Sequence, residues 1–374
     1  MSAIAIGRNI ALGTTDIGDE ERRLVDDVLT SGRVSPGAYQ RSFEQAVAER
    51  HGKQYATLVN SGQSALHLSL EALKRRDPSI RRVLCPAVTY ISTLHAVWNA
   101  GMVVVLADVD PVDFLITPGD PFWYDMALPV DLFGKAWRPI NLGAPAYVED
   151  ACEAIGAPGV GYGDLVCLSF YASHSVTTGS GGMVLTDDIE LDQTVKRLAN
   201  HGRREASDLY MTPGKGKKFV FDDVGYSYKS SDLNAALGLA QLNRLEGMIL
   251  KRQRLAARLI NGLDDLADLQ LPVRDRHTFQ MFPIICREPG TRDGLTDYLN
   301  ERGVETREAM PIVTQPIVQE KLGIRPDDYP VAAHVARDGF YVGCHHKLTD
   351  DDIDWLIDVF HQFGLGRKAS GDVG

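Results

Sequence analysis

Cysteine is scarce and scattered. Five occur among 374 residues, at 85, 152, 167, 286 and 344, and no two stand in CxC or CxxC spacing. That removes the usual ligand patterns of zinc and iron–sulfur sites, and the odd, wide spacing fits free thiols in a reducing compartment. No apolar run approaches the ~18 residues that a membrane span requires. The opening stretch MSAIAIGRNIALG lacks the charged start and long apolar run of a secretory signal. Basic residues are in deficit: 39 Lys and Arg against 50 Asp and Glu give a formal charge of −11, the reverse of the surplus expected of a general nucleic-acid binder. Internal repeats and low-complexity tracts are absent as well. The expectation is a cytoplasmic protein with a small-molecule substrate and no metal, nucleic-acid or membrane partner.

What is present suits a large folded core, with 44% hydrophobic and 24% charged residues. DEERRLVDDVLT (19–30) predicts an amphipathic helix, FEQAVAERHG a second, and QSALHLSLEALKRR a third with Leu66, Leu70 and Leu73 on one face. Between and after them stand short apolar runs: YATLV, RRVLCPAV, MVVVLADVD, MALPVDLF, PAYVED, DLVCLSFY and GGMVLTDD. Near-continuous apolar strands alternating with helices predict an α/β fold with a mainly parallel sheet covered on both faces. Residues 230–263 predict one long helix, and TDDDIDWLIDVFHQF a last one capped by Thr349. The division expected is a large α/β domain over 1–245 and a smaller α+β domain over 246–374.

Three short constellations carry chemistry. In NSGQSALHL a strand ends, Gly62 turns the chain and a helix begins, so the N–H groups of Gly62, Gln63 and Ser64 can meet a phosphate. In AYVEDACEA a strand ends on Asp150, which can hold a protonated ring nitrogen. In SFYASHSVTTGSGGM, Ser169 ends a strand and His174 follows, a residue whose ordinary pKa suits a general acid or base. Taken singly, each has an ordinary structural explanation: a turn, a solvated acid, a structural histidine.

Together, their order and spacing resemble fold-type I pyridoxal phosphate enzymes. Over nearly its whole length the chain resembles the DegT/DnrJ/EryC1/StrS family of sugar aminotransferases, through LTSGRVSPGAYQRSFEQAVAERHG, PAVTYISTLHAVWNAGMVVVLADVDP and AALGLAQLNRL. The resemblance implies a seven-stranded-type sheet and a set of cofactor contacts. Gly62, Gln63, Ser64 and Ser169 match its phosphate site, Tyr90 its ring-stacking aromatic and Asp150 its ring acid. Glu153 falls near the cofactor's ring oxygen, where the family usually has Gln or His. Ser227 falls where the family's Asn reaches the neighbouring subunit's phosphate, which implies a homodimer.

His174 falls on the lysine that holds the cofactor as an imine. Imidazole can move protons but forms no stable imine. The chain therefore resembles the histidine-for-lysine branch of the family, the 4-keto-6-deoxy sugar 3-dehydratases. DGFYVGCHHKLTDDDID and EAMPIVTQPIV strengthen that match. The resemblance implies a pyridoxal or pyridoxamine phosphate (PLP or PMP) held non-covalently, a nucleotide sugar losing its C3 hydroxyl, and glutamate as amino donor. Lys215, Lys217 and Lys218 are a solvated loop or a diphosphate contact. Other expectations remain: decarboxylation, elimination or transfer on an amino acid or modified nucleotide, a non-catalytic binder that kept the pocket, or an engineered replacement of the lysine in an ordinary aminotransferase.

Overall fold

The computed structural model describes residues 8–118, 123–204 and 220–368; the three lysines of GKGKK lie outside them. Two helices come first. α1 (Asp19–Ser31) opens with three acids in its positive first turn, and Gly32 closes it in the left-handed region at φ 67°. α2 (Ala38–Arg50) lacks a capping side chain of its own. Asp232, far along the chain, accepts hydrogen bonds from Gly37 N at 2.8 Å and Gln40 N at 3.0 Å instead.

The sheet follows. β1 (Tyr55–Val59), α3 (Gly62–Arg76), β2 (Arg82–Pro86), α4 (Ile91–Asn99), β3 (Val103–Ala107), β4 (Met126–Ala127), β5 (Val148–Asp150), β6 (Leu165–Ser169), β7 (Gly182–Thr186) and α5 (Ile189–Ala199) succeed one another. Strands β1, β7, β6 and β5 form one hydrogen-bonded set, and β3, β2 and β4 another. Parallel bridges Ala127 to Tyr147 and Val130 to Asp150 join the two. The order is thus 1-7-6-5-4-2-3, parallel everywhere except on the two sides of β7. Every residue of β6 and β7 is buried, as expected of strands covered on both faces. MALPVDLF forms only a two-residue strand. Pro129 offers no N–H, and Phe133 turns the chain at φ 58°.

The parallel strands deliver their C-terminal ends to one edge, and there the loops carrying Ser61, Tyr90, Asp131, Asp150 and Ser169 meet. α6 (Asp232–Leu263) is capped by Ser231 and runs unbroken through 245–246. Its N-terminal and central turns supply Leu242, Leu245 and Ile249 to the core that also holds residues of β1, β6 and β7. Its second half supplies Leu255, Leu259 and Leu263 to another core. That second core includes β8 (Leu269–Gln270), β9 (Phe282–Cys286) and α7 (Thr291–Glu301). Next come β10 (Thr306–Glu308), α8 (Pro316–Leu322), α9 (Pro330–Asp338), β11 (Gly339–Val342) and α10 (Asp350–Gln362). Strands β10, β11, β9 and β8 form an antiparallel sheet. Among the described residues no helix is long and apolar enough to cross a membrane.

Candidate functional site

A cavity of about 420 Å³ lies at the strand-end edge, of the size that small-molecule sites have. Gly62, Gln63, Tyr90, Asp150, Glu153, Ser169 and His174 all line it; Ser64 and Ser227 do not. Its floor is the start of α3. Ser61 caps that helix by accepting from Ser64 N at 3.1 Å. As the first helical residues, Gly62 and Gln63 have N–H groups with no intrahelical acceptor. A Cβ on Gly62 would stand 2.8 Å from both Cys152 Sγ and Ser169 Cβ, so the helix start sits against the end of β6 only because residue 62 is glycine. Ser64 turns the other way, donating to Asn60 Oδ1 at 2.7 Å. The capping serine is therefore Ser61, which the N-S-G pattern before an apolar helix already signals.

Asp150 ends β5 and is only 4% exposed. Thr93 Oγ1 donates to it at 2.8 Å and Cys152 N at 3.3 Å. Burial pushes its pKa above the ordinary carboxylate value, against the lowering from those neighbours. No cation pairs with it among the described residues, so a buried acid faces the cavity without its counter-charge. Asp131, which sequence reasoning passed over, stands beside it. Asp131 Oδ1 accepts from Trp137 N at 2.6 Å, while Oδ2 is buried with no donor. Burial, with Glu149 nearby, keeps it protonated well above the usual range.

Glu153 accepts from Phe133 N at 2.7 Å, and burial raises its pKa to about 7. The group therefore passes between acid and carboxylate near neutrality. Because the folded chain holds this proton and the unfolded chain releases it near pH 4.5, stability from this group falls as pH rises through about 7. Glu153→Gln is expected to match the parent chain near pH 4 and to melt higher at pH 8. A thermal-denaturation series across that range checks it; a lower melting temperature at pH 8 contradicts it.

His174 sits in the turn after β6, with its N–H bonded to Tyr171 O at 2.9 Å. Its Nδ1 is 3.2 Å from the Ser169 carbonyl. A carbonyl only accepts, so Nδ1 carries the hydrogen and Nε2 keeps its lone pair. Burial pushes the ring's pKa below 6.5; the Ser169 contact opposes this, and the Arg252 charge adds to the lowering. The ring is neutral at pH 7 and ready to accept a proton. No lysine among the described residues lines the cavity.

Tyr90 lines the cavity but is 61% exposed, leaving a ring face open. Ser227 lies near Lys229, whose Nζ donates to its hydroxyl at 3.2 Å. A second cavity of about 590 Å³ adjoins the first and shares Thr89, Tyr90, Arg307, Met310 and Tyr341 with it. Arg307 has no ion-pair partner among the described residues and lines both. Met310 and Tyr341 lie in the two C-terminal segments that carried the family resemblance, whereas Arg307 stands just outside them and had no signal of its own. The whole arrangement fits a phosphorylated aromatic group with a protonated ring nitrogen. Its phosphate would meet Gly62, Gln63 and Ser169, and its ring nitrogen would supply the charge Asp150 lacks.

Comparison with known proteins agrees with that chemistry. The profile of the DegT/DnrJ/EryC1/StrS aminotransferase family matches residues 15–120 and 135–361. A dTDP-4-dehydro-2,6-dideoxy-D-glucose 3-dehydratase of Saccharopolyspora spinosa is 29% identical, with 93% of this chain and 85% of that one covered. A GDP-perosamine synthase of Caulobacter vibrioides is 30% identical, with 92% and 95% covered. The structure of E. coli GDP-4-keto-6-deoxy-D-mannose-3-dehydratase, solved with bound hydrated PLP, superposes with a TM-score of 0.83. It is 23% identical, with 94% of this chain and 99% of that one covered. The fold expected from the sequence, fold-type I, is the one the chain adopts.

Proposed function

The chain belongs to the DegT/DnrJ/EryC1/StrS aminotransferase family, and on that premise we propose that it removes the C3 hydroxyl of a nucleotide-linked 4-keto-6-deoxy sugar, using PLP/PMP held without a covalent bond. One observation carries this reading: His174, with its Nε2 lone pair free, stands in a cavity that no described lysine enters. The S. spinosa relative, itself a 3-dehydratase by name, supports it.

In this reading Gly62, Gln63 and Ser169 hold the cofactor phosphate, Asp150 its ring nitrogen and Tyr90 its ring face, with Glu153 at its ring oxygen. When bound, the cofactor supplies the amine that engages the sugar's 4-keto carbon and an electron sink beside the departing C3 hydroxyl. His174 Nε2 takes and returns the proton at the cofactor's C4′ carbon. Its lowered pKa keeps it a base at neutral pH. Arg307, free of any carboxylate among the described residues and set between the two cavities, suits the phosphates of the nucleotide. Ser227 serves the site of a second copy, which makes a homodimer the working unit. Glutamate is the amino donor.

The family description supports a second reading, transfer of an amine to the same keto carbon. Mass spectrometry separates the two. The protein is incubated with PLP, glutamate and GDP-, CDP- or dTDP-linked 4-keto-6-deoxy sugars. A product lighter by one oxygen supports dehydration; a product carrying a new amine overturns it in favour of transfer. Borohydride treatment of the loaded protein is expected to leave the cofactor extractable.

A further inference from the structure

A base with no covalent tether must be aimed by the protein. The ring bond to Ser169 selects the tautomer of His174, but it does not locate the backbone that carries the ring. One distant side chain grips that backbone on both sides of the histidine. Gln280, just before β9, is 4% exposed. Its Oε1 accepts from Ser175 N at 3.0 Å and from Ser175 Oγ at 2.7 Å, and its Nε2 donates to the Ser173 carbonyl at 2.8 Å. The Ser175 N–H only donates and the Ser173 carbonyl only accepts, so the amide has a single allowed orientation.

Gln280 is itself held. Its carbonyl accepts from Arg252 Nη1 at 3.2 Å, and the same nitrogen also reaches Phe279 O and Cys344 O. Arg252 is 1% exposed and binds these three carbonyls from the middle of α6. On the other side, a Cβ at Gly134 would stand 2.6 Å from Gln280 N, so the turn after Asp131 packs directly on it. Gln280 does not line the cavity with Asp150 and His174; it lines the adjoining pocket, together with Ser173. It works from behind the histidine.

The geometry points to Gln280 as the positioning residue that aims His174 Nε2 into the cavity, supplying by hydrogen bonds the placement a tethered lysine would obtain covalently. The inference rests on the reading of His174 as the proton carrier. The Nδ1 contact to Ser169 is 3.2 Å long, so a backbone shift of a few tenths of an ångström breaks it.

The test uses the full chain and two readouts. Gln280→Ala removes all three bonds. Gln280→Glu keeps the length and the Ser175 bonds but sets a carboxylate against the Ser173 carbonyl. Ser175→Ala removes one bond and leaves two. In the cofactor-free chain, long-range ¹⁵N-histidine spectra, assigned against His174→Asn, are expected to show His174 as one Nδ1–H form. Both Gln280 variants are expected to show averaged tautomers, with Ser175→Ala between. In the loaded enzyme, kcat is expected to fall about 10- to 100-fold in the Gln280 variants, with KM and cofactor affinity within threefold. An unchanged His174 spectrum in Gln280→Glu and Gln280→Ala overturns the inference, as does a loss confined to cofactor affinity. If the parent chain dehydrates no sugar, the proposed reaction fails while the spectra still decide the role of Gln280. Should Gln280→Ala not fold, the Glu and Ser175 variants carry the same decision.

Discussion

His174→Asn is expected to lower turnover on the nucleotide sugar by about 10²- to 10⁴-fold, the range that a positioned acid–base group contributes, while leaving the fold and the cofactor site in place. An asparagine amide can occupy the position of Nδ1 and still donate to the Ser169 carbonyl. It carries no charge into a half-buried position, and it is smaller than the imidazole, so it fits the same space. What it lacks is a lone pair that titrates. Cofactor affinity, read from the visible spectrum, is expected to change less than threefold, because the proposed phosphate and ring-nitrogen contacts come from Gly62, Gln63, Ser169 and Asp150. A variant that keeps more than a tenth of parental turnover would remove His174 from the chemistry.

The pH profile adds a second reading of the same group. The working form is the neutral ring, and burial with the Arg252 charge holds its pKa below 6.5. Turnover limited by His174 is therefore flat at neutral pH and falls as pH drops through that lowered value. His174→Lys makes the complementary case. Burial and the same arginine would push the new amine's pKa down, so a fraction of it would be an uncharged nucleophile. Borohydride is then expected to fix the cofactor to the variant and not to the parent, with a product that retains the amine.

The sequence carried the parts of this site that lie on strand ends and helix starts. Apolar runs and their order placed β1, β5 and β6, and with them Gly62, Asp150 and Ser169. Position 174 stood out because it departs from the family pattern at the lysine itself, a larger chemical change than the departures at Glu153 and Ser227. The rest depends on contacts that no local signal encodes. Ser64 reads from the sequence as a phosphate donor beside Gly62 and Gln63, and only the fold shows it bonded inward to Asn60. Arg252 reads as one more basic residue in a long helix, yet it is buried beneath the chain that carries Gln280. Gln280 meets Ser175 across more than a hundred residues. Asp131 follows a two-residue strand cut short by Pro129, so its place beside Asp150 was not legible from periodicity. Ser227 does not line this chain's own cavity, and the role proposed for it requires a second subunit.

Asp150→Asn is expected to weaken cofactor binding by about a hundredfold or more while stabilising the cofactor-free chain, and the opposed signs make the result diagnostic. Removing one member of a buried ion pair costs about 3–5 kcal/mol, and each 1.4 kcal/mol is about tenfold in affinity. The cofactor's ring nitrogen would lose that partner. Without cofactor, the carboxylate has no counter-charge, and burial raises its pKa. Below the unfolded value both states are protonated and the group contributes nothing to the pH dependence. As pH rises from the unfolded value to the folded one, the unfolded chain gains from ionising while the folded chain stays protonated, so stability is lost, and the loss is complete above the folded value. Asparagine keeps the shape and can still accept from Cys152 N and pair with the Thr93 hydroxyl, but it never needs to ionise. At pH 8 the cofactor-free variant should therefore melt above the parent, and titration with PLP should show the weaker binding. Unchanged affinity would mean that Asp150 does not face the ring nitrogen. Weaker binding together with a lower melting temperature would mean that the acid is a structural support, and that another group supplies the charge the ring requires.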